Sequence, residues 1–165
     1  MRAGSADLAL VFRHALDTAP VEGDLLREPL TQHPVVAVVP ADRPVPVDLA
    51  DLAAERWIAG CVRCRVHLLR CATAAGFTPD VRFATDDHVV AQRLVASKLG
   101  VALLPAWALA ASTQAGVLAV PVRGVDDRIV DVLVRPDARR VPAVAAVLTG
   151  LRDWTGQALG QDGKS

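Results

Sequence analysis

The sequence predicts an α/β fold with parallel strands, and three observations carry that expectation. The stretch Asp86 to Pro105, DDHVVAQRLVASKLGVALLP, reads as a helix that opens on acids and runs directly into an all-apolar strand. Trp57 to Gly76 has the same organisation, a short strand followed by a helix that stops at glycine. The chain is 52% hydrophobic but only 4% aromatic and lacks tyrosine, so its core must be built from Val, Leu and Ala, which suits layered helices and sheet.

Taken in order, Ala6 to Phe12 is a compact apolar strand interrupted only by Asp7. Leu25 to Leu30 and Val35 to Val39 are further extended segments. The run Pro40-Ala41-Asp42-Arg43-Pro44 punctuates their end and predicts a lobe boundary. Asp48 to Glu55 reads as a short helix capped by Asp48, and Trp57 to Ala59 as a strand. Gly60-Cys61 then turns into the helix Val62 to Ala75, which Gly76 ends. Asp80 to Ala84 is the next strand. Thr85 or Asp86 can cap the following helix, whose Val90, Ala91, Leu94 and Val95 form an apolar stripe with Lys98 at its negative end. Gly100 suits the left-handed residue that stops a helix, and Val101 to Leu104 is apolar throughout, as in a strand covered on both faces. Ala106 to Ala111 is helical, while Val117 to Val122 and Ile129 to Val134 are strands. Val141 to Leu159 is a closing helix carrying Val144, Val147, Leu148 and Leu151, and Gly160 to Ser165 is expected to fray. Strand, helix and strand with short joints make a β-α-β unit with a right-handed crossover. Both main helices then begin at strand carboxyl ends, at Gly60 to Arg63 and at Thr85 to Asp87, where open α/β sheets bind ligands.

Charge and composition exclude several classes. Eighteen basic residues balance eighteen acidic ones, which argues against a dedicated nucleic-acid surface. No apolar run reaches bilayer length and MRAGSADLAL lacks the character of a secretory signal, so a cytoplasmic setting is expected. Three cysteines, an odd number, fit reduced thiols better than a disulfide framework.

The phrases RAGSADLALVF, LLREPLTQHPVVAVVPADRPV, LADLAAERWIAGC, CATAAGFTPDVRFATDD, VAQRLVASKLGVALLP and PAVAAVLTGLRD, in this order and spacing, resemble the effector-binding domain of LysR-type transcriptional regulators. Arg43-Pro44 stands where that family usually has His-Pro. The resemblance implies a type 2 periplasmic-binding-protein fold, with two Rossmann-like lobes joined by crossover strands. It starts late in the first lobe, so an incomplete lobe I is expected at 1–43, lobe II at 44–124, and a return to lobe I with the C-terminal helix at 125–165. It further implies a small-molecule effector held in the inter-lobe cleft and a homo-oligomer. DNA reading is expected only if the chain is joined to a helix-turn-helix domain, and no membrane partner is expected.

Candidate ligand contacts follow from both lines of reasoning. Arg63 sits in a first helical turn, where positive charge is unfavourable unless an anion is present, and Cys61 opens the same turn. Thr85 brings a hydroxyl and Asp86 a carboxylate to the second helix start. Asp86, Asp87 and His88 together resemble an acid-base pair with an imidazole, but helix capping accounts for two adjacent acids in a first turn without a substrate. The resemblance adds Phe12 and Arg13 at the end of the first strand. Cys61-x-x-Cys64-x-x-His67-x-x-x-Cys71 contains soft ligands, but helical geometry puts Cys64, Leu68, Cys71 and Ala75 on the buried stripe and His67 nearer Arg63 and Arg70 on the polar side. No bound metal and no cofactor are therefore expected. The chain has no GxSxG, no Gly-rich phosphate loop and no HExxH, so no catalytic residue is assigned. A ligand-sensing domain is the function expected, the alternatives being a solute-binding protein or an enzyme on the same fold.

Overall fold

The computed structural model describes residues 6–15, 17 and 23–161, with side chains through Thr155. The elements begin with β1 (Leu8–His14), β2 (Leu26–His33) and β3 (Val35–Pro40). Next come β4 (Arg56–Ala59), α1 (Val62–Ala74), β5 (Asp80–Ala84), α2 (His88–Ala96) and β6 (Val101–Pro105). The last are α3 (Ala106–Ala111), β7 (Val117–Val120), β8 (Arg128–Val134) and α4 (Pro142–Gln161). Two compact units result, a central one of residues 33–128 and a terminal one of residues 1–32 with 129–165.

The central unit is a five-stranded sheet in the order β5-β4-β6-β3-β7. β4 runs parallel to β5 and β6, while β3 is antiparallel to β6 and β7. Alternation along the strands sorts the core into two layers. Ala37, Val39, Trp57, Ala59 and Val101 face one cluster with Leu68 and Cys71 of α1, and Trp57 stacks on Phe77. Val36, Val38, Ile58, Ala102 and Leu104 face the other, with Ala91 and Val95 of α2 and Leu109 of α3. Both faces of β3 and β6 are thus covered, which is why their sequences are apolar without alternation. β3 was expected at the end of the first lobe. It lies instead between β6 and β7, and Pro40 to Pro44 is a connection within the central unit.

Local chemistry sets the helix ends. The expected helix Asp48 to Glu55 shortens to a 3-10 turn, Leu49–Leu52, whose Asp51 carboxylate accepts from the N–H groups of Val47 and Asp48. α1 stops at Gly76, which takes φ 84° as expected. α2 stops differently: Lys98, not Gly100, holds the left-handed conformation at φ 58°, and its N–H bonds the Val95 carbonyl at 2.8 Å. Gly100 serves another purpose, since a Cβ there would lie 2.6 Å from the Arg56 carbonyl oxygen, and its absence lets β6 enter beside β4. Gln92, fully buried on α2, donates to the Ser112 carbonyl and accepts from the Gln114 N–H, fixing the chain between α3 and β7. His67 is 3% exposed, on the inner face of α1 with Leu68 and Cys71, and not on the polar side.

In the terminal unit the strand order is β1-β8-β2, so β1 and β2 are edges of this sheet. Val132 and Val134 of β8 pack with Val144 and Leu148 of α4, joined by Leu8 and Leu30, while Val147 stays 48% exposed. α4 remains helical through Gln161, past the expected fraying point at Gly160, and 162–165 lie outside the described residues. The middle of this sheet carries a fully buried acid, Asp131. Arg13 on β1 reaches its Oδ2 at 2.9 Å and Arg27 on β2 at 3.7 Å, so one carboxylate draws charge from both flanking strands.

Three stability tests follow. Gly100→Ala should destabilise the chain by about 1–3 kcal/mol in urea unfolding, because its methyl group must displace backbone. Lys98→Gly should instead stabilise by roughly 1 kcal/mol, the left-handed strain exceeding what the exposed Lys98–Asp42 ion pair returns. Arg13→Met should cost about 3 kcal/mol by leaving Asp131 short of its nearest cation, and Asp131→Asn in the same background should recover part of the loss.

Candidate functional site

The two long helices of the central unit start at one end of its sheet because β4 and β5 are parallel and in register there. Ala59 pairs with Ala84, and the Thr85 N–H donates to the Ala59 carbonyl at 3.0 Å. From these adjacent strand ends the chain turns into α1 and α2, so Cys61, Arg63, Thr85 and Asp86 are gathered on one side of the unit. Phe12 and Arg13 belong to the terminal unit, where Phe12 meets His14 edge-on and Arg13 is engaged by Asp131.

The α2 cap is Asp87, whose carboxylate accepts from the N–H groups of Val89 at 2.7 Å and Val90 at 3.1 Å. This corrects the expected cap of Thr85 or Asp86. Thr85 accepts from the Asp87 N–H at 3.2 Å, which leaves its hydroxyl proton available to donate, and Asp86 is exposed. At α1 the cap is Cys61. Its sulfur accepts from the Cys64 N–H at 3.5 Å and its thiol donates to the Cys64 sulfur at 3.1 Å. Burial, and then the Cys61 contact, push the Cys64 thiol up to about 12, so it stays protonated and unreactive. Arg63 lies in the first turn and is exposed.

Two residues that the sequence did not mark, Arg128 and Trp107, complete the cluster together with His88. Arg128 is half-buried, its guanidinium 5.8 Å from the centre of the Trp107 ring, and Trp107 in turn meets His88 edge-on at 5.7 Å. Burial pulls the Arg128 guanidinium below its ordinary value, with the nearby Cys64 and Cys61 thiols acting in the opposite sense. Burial and then the Arg128 charge hold the His88 imidazole below its usual range, so it is neutral at pH 7. His88 adjoins the acid pair and could be singled out from the sequence. Arg128 lies 65 positions beyond Arg63 (128 − 63), at the start of a strand, and no local pattern announces it.

The cluster brings together groups suited to hydrogen-bonding a polar ligand. It offers amide and hydroxyl donors at two helix starts and a guanidinium stacked on an aromatic ring. The Cys64 thiol and the His88 imidazole are both neutral there. A surface hollow lined by Asp42, Arg43, Glu55, Arg56 and Lys98 lies instead at the amino end of β4, among exposed ion pairs.

The fold and family are shown by comparison with known proteins. A sequence search of curated proteins found no match. Among solved structures, the regulatory domain of CcmR from Synechocystis PCC6803, in complex with 2-PG, has a TM-score of 0.78 at 17% identity, covering 94% of this chain and 76% of that one. The effector-binding domain of QuiR in complex with shikimate gives 0.75 at 18% identity, covering 94% and 75%. The regulatory domain of the LysR-family regulator MetR from N. meningitidis gives 0.70 at 21% identity, covering 93% and 71%. The architecture is therefore the type 2 periplasmic-binding-protein-like fold of LysR regulatory domains. The model of the LysR substrate binding domain matches residues 1–156, and the chain belongs to that family.

Proposed function

We propose that the chain is the effector-sensing part of a LysR-type regulator and that it captures a small anion where α1 and α2 begin. The observation that carries this reading is the place of Arg128, half-buried with its guanidinium against the Trp107 ring on the side where α1 and α2 begin, so that a cation and the backbone amides of two helix starts can meet one anion. Shikimate, held by the effector domain of QuiR, is a carboxylate and matches that chemistry. Ligand capture shifts the balance between two arrangements of the regulator, and catalysis is not part of the function.

Self-association belongs to the same reading. Val62, Val66 and Leu69 form an exposed apolar row along α1, with Val62 81% exposed, and a second copy of the chain is the partner such a row fits. Sequence-specific DNA reading is not assigned to this polypeptide: its formal net charge is zero, and the described residues contain no winged helix-turn-helix. No helix among the described residues is long and apolar enough to cross a membrane.

Calorimetry with shikimate and a panel of other small carboxylates tests the site. For any acid that binds, Arg128→Met should weaken affinity by about 1.5–3 kcal/mol, the worth of a charge-assisted hydrogen bond, whereas Arg63→Ala should cost less than about 1 kcal/mol because that side chain is exposed. Equal affinities of the wild type and Arg128→Met would remove the anion from this place. His88 supplies a pH test. A bound anion favours its protonated form and raises its pKa, so binding takes up a proton and affinity should rise as pH falls below the ordinary histidine value of about 6.5. That rise should vanish in His88→Gln, provided the ligand itself titrates well below that range.

A further inference from the structure

The inner face of α1 carries a second group of donors that the anion site does not use. His67 and Cys71 are one turn apart, with the Cys71 sulfur 3.3 Å from His67 Nε2. Asp126, from the segment after β7, places Oδ2 3.9 Å from the same nitrogen. All three donor atoms lie within 4.8 Å of one another. His67 and Cys71 are 3% and 4% exposed, whereas the Asp126 side chain is 26% exposed and leaves one open side.

The sulfur–nitrogen separation is close to that around a tetrahedral ion, and the carboxylate stands somewhat further off. Metal–sulfur bonds of about 2.3 Å and metal–nitrogen or metal–oxygen bonds of about 2.0–2.1 Å, at tetrahedral angles, put neighbouring donors roughly 3.3–3.6 Å apart. A shift of up to about 1.2 Å (4.8 − 3.6) by the Asp126 carboxylate closes the set around one centre. One nitrogen, one sulfur and one oxygen donor suit zinc and related borderline cations, and a thiolate excludes magnesium and calcium. We propose that His67 Nε2, Cys71 Sγ and an Asp126 oxygen form a binding site for zinc or a similar divalent cation, with the fourth position open on the Asp126 side.

The cysteine-histidine run was expected to hold no metal because helical geometry separates its members. The structure divides that run differently. Cys61 and Cys64 pair with each other, while His67 turns inward to Cys71 and meets a carboxylate 55 positions further along the chain (126 − 71). Arg70 Nη2 donates to Asp126 Oδ2 at 2.6 Å, so a guanidinium neutralises the carboxylate in the metal-free protein and competes with the cation for it. Burial raises the Cys71 thiol, which is therefore protonated at neutral pH. Binding forms the metal–thiolate bond and releases that proton to solvent, while His67 ligates as the neutral imidazole.

The test is cobalt titration of the chelator-stripped chain, followed by zinc competition against a chromophoric chelator. One cobalt per chain should bind, with a thiolate-to-metal charge-transfer band and the intense visible bands of a tetrahedral centre, and one equivalent of zinc should displace it. The charge-transfer band should be lost in Cys71→Ala and retained in the Cys61→Ser/Cys64→Ser pair. Asp126→Asn, a change at a partly exposed position that spares the core, should weaken zinc binding at least tenfold. Arg70→Ala should tighten it severalfold by removing the competitor. If Cys71 and His67 are only a packed thiol–imidazole contact, neither wild type nor Arg70→Ala gives a cobalt band, and the proposal fails. It also fails if the band survives Cys71→Ala, or if it disappears when Cys61 and Cys64 are replaced.

Discussion

The central unit depends on β4, a strand of four residues held in parallel register on both sides. Trp57 and Ala59 face the α1 layer and Ile58 faces the α2 layer, so successive buried side chains of this short strand are committed to opposite layers. Its pairing with β5 contains an irregularity between Trp57 and Ile58, after which Ile58 meets Phe83 and Ala59 meets Ala84. On its other side the missing side chain of Gly100 lets β6 approach the Arg56 carbonyl. A slip of one residue would turn Trp57 away from Phe77 and separate the two helix starts. The candidate ligand site is thus a by-product of strand register, with each helix inheriting its position from the strand before it.

Much of this was legible in the sequence because the signals were local. The strand-helix steps from Trp57 to Pro105 could be read from apolar periodicity and from the residues that open and close each helix. The glycine rule succeeded at Gly76 and misplaced the end of α2, because Gly100 answers to the neighbouring Arg56 carbonyl and Lys98 accepts the left-handed turn. β3 was set in the wrong place by Pro40 to Pro44, a strong break signal that here marks a connection inside one unit. Sequence shows that a chain must turn, not which sheet it has just left. His67 was misjudged by residue type, since a polar ring was assigned to the polar face although its neighbours at the next turn are buried. Arg128 and Asp126 were out of reach, because their roles depend on tertiary contacts with residues far away in the chain.

The two ends of α1 illustrate how one helix can hold two chemistries apart. At its start Cys61 caps the helix and packs on Cys64, whose thiol is kept protonated by burial, with the half-buried Arg128 nearby. Further along, Arg70 and Asp126 cancel one another beside His67 and Cys71. A partly buried charge here thus has a compensating group at hand. The same holds for Asp131 in the terminal unit, which draws on two arginines. Residues of this kind stabilise the fold little, and their value lies in what they recognise.

The three tryptophans occupy three different settings, and that distribution gives the protein built-in optical labels. Trp57 is sealed against Phe77, so its emission is insulated from events at the surface. Trp154 stands on α4, 63% exposed, and senses solvent. Trp107 lies between a guanidinium and an imidazole, both of which modulate an excited indole. Any molecule that draws Arg128 off that ring, or changes the charge on His88, alters the brightness of one fluorophore against two steady references, without a dye being attached.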